Sequence, residues 1–297
     1  MNDLLEEIQS KIESKILLNY DMSTSTWFRA GGIAKGYVII KTISDLKKII
    51  SYSDQIQYYI IGAGSNLLVR DGGFNGLIIK LGKNFNKIKL KKNLLSVGGG
   101  VLDLNLSKFA LKNSIKDFEF FSGIPGTVGG AIKMNAGCFG AQTSDILKSA
   151  LIINKYGKIN LLNCKDLKLG YRTSDIDQNS VVLQANFSFE YTSKSDILEK
   201  HKFIKSQRIN TQPIKEKTSG SSFKNPKDGF AAVLIEQAGC KGMQFGGATI
   251  SNVHSNFIIN HGKAKASDIE ELGKSVIRRV KKKFGIELEW EIKIIGK

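Results

Sequence analysis

The sequence predicts a protein of mixed α and β structure with more than one domain. Three observations lead there: a length of 297 residues with 41% hydrophobic positions, short β-branched apolar runs alternating with amphipathic helical ones, and glycines crowded where those runs end. Domains average roughly 100–200 residues, so the length suggests two or three, and the apolar fraction excludes a disordered or collagen-like chain.

An amphipathic segment over Leu4–Ile16 opens the chain. The apolar runs Gly36–Thr42, Tyr58–Gly64, Leu77–Gly82 and Leu94–Gly99 read as strands, with a helical pattern at Ser44–Ser53 between the first two, which predicts a small α/β unit. A helix over Leu102–Ser114 leads into the glycine-rich Gly123–Ala141. Ala150–Asn163 then reads as a hairpin turning at Lys155–Gly157, and Val181–Thr192 as an alternating strand. A charged helix over Ser193–Ile209 gives way to the polar run NTQPIKEKTSGSSFKNPKDG, where a domain boundary is expected. Beyond it the sequence predicts a helix at Phe230–Ala238 closed by Gly239. A second helix should start from the capping-box spacing of Ser267 and Glu270 and stop at Gly285. The final strand should carry Ile286, Leu288, Trp290, Ile292 and Ile294 on one face and Glu287, Glu289, Glu291 and Lys293 on the other.

Charge and cysteine usage narrow the function classes. Lys+Arg number 44 against 27 Asp+Glu, a net charge of +17, but only six are arginines: 29, 70, 172, 208, 278 and 279. Scattered lysines without interleaved aromatics argue against base-specific nucleic-acid recognition, which leans on the arginine fork. The densest cluster, Arg278–Lys283, suits the last turns of a helix. Cys138, Cys164 and Cys240 are odd in number and widely spaced, so neither a disulfide framework nor a zinc site is implied, and a reducing cytoplasm fits. No apolar run approaches the ~18 residues of a membrane span. The acidic MNDLLEEIQS lacks the basic and apolar regions of a secretory signal.

Three glycine clusters are the candidates for ligand binding. In Ile60–Gly73, glycines directly after a strand can turn backbone N–H groups toward a phosphate, with Ser65 and Asn66 as side-chain donors. The dinucleotide fingerprint nevertheless fails, because no third glycine follows at the required offset and Leu67–Val69 reads as a strand. Gly123–Ala141 holds six glycines in nineteen residues, and Val97–Gly100 adds a third cluster. Together they suggest one large nucleotide-like ligand touched at several points, the plainer alternative being tight turns. Side-chain candidates are less self-evident. Arg172 in a polar loop, Ser221 in a run of turn formers and Glu291 on a strand's polar face each admit an ordinary surface reading.

The segments STWFRAGG (Ser25–Gly32), IGAGSNLLVRD (Ile61–Asp71), SGIPGTVGGAIKMNAGCFG (Ser122–Gly140), GYRTS (Gly170–Ser174), GSSFKNP (Gly220–Pro226), AGCKGMQFGGATISNVHSNFIIN and LEWEIKIIG (Leu288–Gly296) give the chain a specific resemblance. It resembles, nearly end to end, the UDP-N-acetylenolpyruvoylglucosamine reductase family of flavoenzymes. The resemblance implies an α+β architecture of the vanillyl-alcohol-oxidase type. An FAD-binding pair, an α/β subdomain (1–83) and a mixed α+β subdomain (84–195), would precede a C-terminal α+β substrate domain (196–297). FAD and NADPH would be the cofactors. Gly62, Ala63, Gly64, Ser65, Asn66 and Leu67 would hold the FAD diphosphate. Gly123, Ile124, Pro125, Gly126, Thr127, Gly129 and Gly130, with Asn135, Ala136 and Gly137, would line the flavin.

The same resemblance implies that reduced flavin passes hydride to the vinyl carbon of UDP-N-acetylglucosamine enolpyruvate. Arg172 would pair with the substrate carboxylate, Ser221 would donate the proton and Glu291 would help stabilise the intermediate. Because a carboxylate near an enolate is favourable only if protonated or bridged by a donor, a raised pKa is expected for Glu291. The short spacing from Arg172 to Ser221 matches the family branch without the extra Tyr-bearing substrate loop. Ser222 next to Ser221 leaves the donor open to a shift of one residue. A flavin-dependent alcohol oxidase of related fold and a non-catalytic, basic nucleic-acid-binding protein are the alternatives. A cytoplasmic monomer acting on small molecules, with no nucleic-acid, membrane or metal partner, is expected.

Overall fold

A computed structural model of the chain describes residues 1–227 and 229–297. The regular elements begin with α1 (Asn2–Lys11), β1 (Ile16–Asp21), β2 (Ile33–Ile40), α2 (Ile43–Ile50), β3 (Tyr58–Ile61), β4 (Leu67–Val69), β5 (Phe74–Leu81), β6 (Ile88–Lys91), β7 (Leu94–Gly98), α3 (Asp103–Lys112) and α4 (Val128–Lys133). They continue with β8 (Gly137–Cys138), β9 (Ala141–Gln142), α5 (Thr143–Ile146), β10 (Leu147–Ile153), β11 (Ile159–Asn163), β12 (Val181–Ser188) and α6 (Lys194–Thr211). The last are α7 (Ala231–Gln237), β13 (Gln244–Phe245), β14 (Ala248–Ile250), β15 (Ile258–Asn260), α8 (Ala266–Phe284) and β16 (Lys293–Ile295). Among the described residues no helix is long and apolar enough to cross a membrane.

The chain divides into two compact units, each discontinuous in sequence. The first comprises Met1–Asn19, Lys35–Ala63 and Gly76–Ser206, and the second Tyr20–Ala34, Gly64–Asn75 and Gln207–Lys297. In the first unit, a four-stranded sheet has the order β1-β2-β5-β3, with β3 and β5 parallel. A five-stranded antiparallel sheet has the order β11-β10-β12-β7-β6. The expected hairpin closes with Ile153 opposite Ile159, and Gly157 in its turn has φ +75°. Two apolar clusters fill this unit. One is centred on Leu46, Ile49, Leu77 and Ile79 between α2 and the first sheet, the other on Phe118, Phe121 and Phe187 under α3 and the second sheet. Burying such side chains contributes about 1.5–3 kcal/mol each.

In the second unit, α8 covers the antiparallel sheet β13-β14-β15, burying Ile269, Leu272, Val276 and Val280 at helical spacing. Gly273 on that face admits the Trp290 ring, since a Cβ there would lie 1.9 Å from a ring carbon. β4 pairs in parallel with β16, Leu67 facing Lys293.

Two local expectations are corrected. The strand expected over Ile286–Ile294 keeps its alternation, with Leu288 and Ile292 buried and Glu287 and Glu289 exposed, but only Lys293–Ile295 forms a regular strand. The preceding residues bond a loop instead: Lys224 N–H donates to Glu289 O at 2.9 Å and Glu291 N–H to Ser222 O at 2.9 Å. The capping box expected from Ser267 and Glu270 does not form. Helix α8 starts one residue earlier, the Asp71 carboxylate accepts the N–H groups of Ala266 and Ser267 at 2.8 and 2.9 Å, and Asp268 accepts that of Lys265 at 3.0 Å.

Glu270 is drawn away by Arg70, whose Nε and Nη2 reach its two oxygens at 2.8 and 3.0 Å. This fork holds the Glu270 carboxyl below its usual range. A depressed carboxylate stabilises the fold above the unfolded value of about 4.3, and that contribution fades as pH falls through the folded value. Glu270→Gln should therefore cost about 1–3 kcal/mol at neutral pH and remove part of the acid sensitivity, as read by urea denaturation at pH 7 and pH 4.

Candidate active site

In the first unit the three glycine clusters meet. Gly62 follows β3 so closely against Thr127 that a Cβ on it would lie 2.4 Å from Thr127 Oγ1. Gly129 N–H donates to Gly99 O at 2.9 Å, Val128 N–H to Val101 O at 2.9 Å, and Asp103 N–H to Gly126 O at 3.1 Å. Thr127 caps α4 by accepting the Gly130 N–H at 3.4 Å. Chain segments more than sixty residues apart are thereby gathered at the end of β3.

Arg172 and Asn135–Gly137 are joined in the same unit. Asn135, buried and at φ +40°, donates from Nδ2 to Gly170 O and Gln142 Oε1, both at 3.1 Å, and accepts Ser144 N–H at 2.9 Å. Arg172, at φ +54°, donates from Nη2 to Gly137 O at 2.8 Å, and its guanidinium lies 5.1 Å from the Tyr171 ring centre. The isolated surface charge that the sequence allowed is thus a half-buried side chain fixed to the Asn135–Gly137 segment.

The second unit holds the rest of the first cluster together with Ser221 and Glu291. Gly64 sits at φ +68° against Ser25, and its carbonyl accepts the Trp27 N–H at 3.0 Å. Asn66 Nδ2 donates to Glu291 O at 3.1 Å and Asn66 O accepts the Lys293 N–H at 3.1 Å, which ties the loop before β4 to the segment carrying Glu291. The Glu291 N–H in turn donates to Ser222 O. Ser222 is fully buried and its hydroxyl accepts the Ile258 N–H at 3.2 Å. Ser221 is only half-buried, with Gly220 at φ +77° before it and Phe257 opposite it. Of the two adjacent hydroxyls, Ser221 is the accessible one.

Two residues escaped sequence reasoning. Asn256, buried, donates from Nδ2 to Phe223 O at 2.8 Å and accepts Phe223 N–H at 2.9 Å, while its own carbonyl takes the Ser222 N–H at 2.7 Å. An asparagine directly before the apolar Phe257–Ile259 was the available signal. Asn256→Ala would strand the Phe223 N–H and C=O and should cost about 1–3 kcal/mol, with a larger loss in any step that uses Ser221 than in flavin binding. Calorimetry and flavin content measured on one preparation check this.

The second is Asp103, fully buried at the start of α3. Among the described residues neither carboxylate oxygen has a hydrogen-bond partner, and burial pushes its carboxyl well above the usual range. A Cβ on Gly126 would lie 2.6 Å from Asp103 Oδ2, so the backbone there has no space for a side chain.

These residues fit a flavin dinucleotide. Gly62, Gly99 and Gly126 bring bare backbone together, and among the described residues the N–H groups of Ala63, Gly64 and Ser65 meet no protein acceptor, which suits a diphosphate.

Comparisons with known proteins agree. The family profile described as the C-terminal domain of UDP-N-acetylenolpyruvoylglucosamine reductase matches residues 212–295, and one described as an FAD binding domain matches residues 34–162. The UDP-N-acetylenolpyruvoylglucosamine reductase of Orientia tsutsugamushi (strain Boryong) is 41% identical over 292 residues, covering 97% of this chain and 96% of its own length. That of Rickettsia typhi is 40% identical over 287 residues, covering 96% and 97%. The crystal structure of UDP-N-acetylenolpyruvylglucosamine reductase from Thermus caldophilus superposes with a TM-score of 0.83 at 32% identity, covering 96% of this chain and 99% of that one.

Proposed function

The chain belongs to the UDP-N-acetylenolpyruvoylglucosamine reductase family of FAD-dependent oxidoreductases in peptidoglycan precursor synthesis, and from that premise we propose that it reduces UDP-N-acetylglucosamine enolpyruvate to UDP-N-acetylmuramate with NADPH. The observation that carries this reading is the meeting of the glycine clusters in the unit that also ties Arg172 to Gly137. Residues 1–83 and 84–195 would serve FAD, and residues 196–297 the substrate. Within the FAD site, Gly62–Leu67 would take the diphosphate, and Gly123–Gly130 with Asn135–Gly137 the flavin ring. The reading includes a cytoplasmic, monomeric enzyme.

When bound, FAD would supply the two-electron redox chemistry that links the reduced nicotinamide to the vinyl carbon of the substrate. The chain's own residues manage the charge that follows. Hydride arriving at the terminal carbon leaves an electron pair on the carbon beside the carboxylate. Arg172, held to Gly137 O through Nη2, would clamp that carboxylate with its planar fork and stabilise the enolate. Ser221 then donates its hydroxyl proton to the carbon, completing addition of hydride and proton across the double bond. Glu291, fixed through its backbone to Asn66 and Ser222, would hold a hydrogen bond to the same intermediate.

Anaerobic spectroscopy tests the reading in one cuvette. NADPH should bleach the flavin absorbance and the enolpyruvyl substrate should restore it. Recolouring only on admission of air would discard the substrate, and flavin retained after denaturation would point to a covalent oxidase instead.

A further inference from the structure

The cluster Arg278–Lys283 has no part in the reaction above, yet its arginines are conspicuous. Lysine supplies 38 of the 44 cationic side chains, and Arg278 and Arg279 are two of only six arginines. All six make a hydrogen bond within the protein, Arg29 with Thr24 O at 2.7 Å, Arg70 with Glu270, Arg172 with Gly137 O and Arg208 with Gln212 Oε1 at 3.3 Å among them, but only Arg278 and Arg279 are adjacent in the chain. A chain that uses lysine almost everywhere for charge keeps two adjacent guanidinium forks here. The two groups differ in geometry, only the fork being suited to bidentate contact.

Both arginines line a groove of about 420 Å³ in the second unit, between the exposed side of α8 and the edge strand β13. It is lined by the cations Arg278, Arg279 and Lys282 together with Met243, Leu272 and Phe245, the last 46% exposed. Arg278 donates to Ser275 Oγ at 2.8 Å and Arg279 to Gly239 O at 3.5 Å, one of five N–H donors each. Among the described residues none of the three cations is paired with a carboxylate. The helix dipole accounts for cations in the last turn, where Lys281 pairs with Glu287 at 2.6 Å and Lys283 reaches Gln237 O at 2.5 Å. Arg278 and Arg279 stand directly before that last turn, where the effect is already falling off.

We propose that this groove is a nucleotide-binding site, in which the Arg278 and Arg279 forks and Lys282 hold the phosphates and Phe245 stacks on the base. Its volume lies in the range of small-ligand sites, about 300–1,000 Å³. An aromatic ring lining the same groove as guanidinium groups that meet no carboxylate matches a ligand with a ring at one end and a polyanion at the other.

Calorimetric titration of the FAD-loaded full-length protein with ADP and with inorganic tripolyphosphate, in 0.15 M salt, tests the site. Arg278→Lys with Arg279→Lys keeps the charge and removes the forks, and should weaken both ligands about tenfold. Phe245→Ser should weaken ADP while sparing tripolyphosphate. Unchanged flavin spectra and unfolding temperature establish that the variants fold. ADP affinity equal to wild type in the double lysine variant would overturn the proposal, as would absence of ADP binding to the wild type. Tighter, arginine-dependent binding of a single-stranded oligonucleotide than of ADP would assign the groove to a polymer and also overturn it.

Discussion

Ser221→Ala should leave the bleaching of flavin by NADPH within about twofold of wild type and slow substrate-dependent recolouring by about 10²–10⁴, the usual contribution of a positioned proton donor. The asymmetry follows from the chemistry, because only the second half-reaction needs a proton delivered to carbon. Ser222→Ala is the companion variant. Its hydroxyl accepts the Ile258 N–H inside the fold, so its loss should appear as lowered stability of about 1 kcal/mol with a much smaller effect on recolouring. Equal loss of both half-reactions in Ser221→Ala, or the larger kinetic loss in Ser222→Ala, would refute the assignment of the donor. Stopped-flow absorbance of the two half-reactions reads these outcomes directly.

Gly64→Ala should release most of the flavin. At φ +68° an L side chain costs about 1–2 kcal/mol, and a Cβ there would lie 2.0 Å from the Ser25 carbonyl oxygen, which is backbone and cannot rotate aside. The loop that would hold the diphosphate must then move. FAD affinity should fall by at least about tenfold, measured by flavin fluorescence on titration of the apoprotein. Gly157→Ala separates strain from clash, because Gly157 has φ +75° with nothing within 4 Å of its Cβ position. That variant should lose stability and keep its flavin.

What the sequence made legible was local. Strands ending in glycine, the hairpin around Gly157 and the amphipathic face of α8 depend on neighbours a few positions apart, and all are present. The close approach of the glycine clusters was legible for a related reason, since bare backbone lets Gly62 lie against Thr127 and Gly126 against Asp103. Side-chain roles were not legible from residues alone, because each depends on a distant partner. Arg172 owes its orientation to Gly137, and Glu291 to Asn66 and Ser222. Glu270 was misread as a cap because the arginine that claims it lies 200 residues away. The closing strand was overextended for the same reason: alternation shows which face is buried, while only tertiary partners decide whether the backbone forms a ladder.

The pairing of Leu67–Val69 with Lys293–Ile295 also bears on how the protein is made. The two strands are separated by more than two hundred positions, and at roughly 5–20 residues per second a ribosome needs about 10–45 s to travel between them. Throughout that interval Leu67, Leu68 and Val69, all buried in the finished fold, lack their partner strand. The nascent chain therefore carries an apolar, unpaired β segment for tens of seconds, a natural binding site for a holding chaperone and the point at which aggregation competes with maturation.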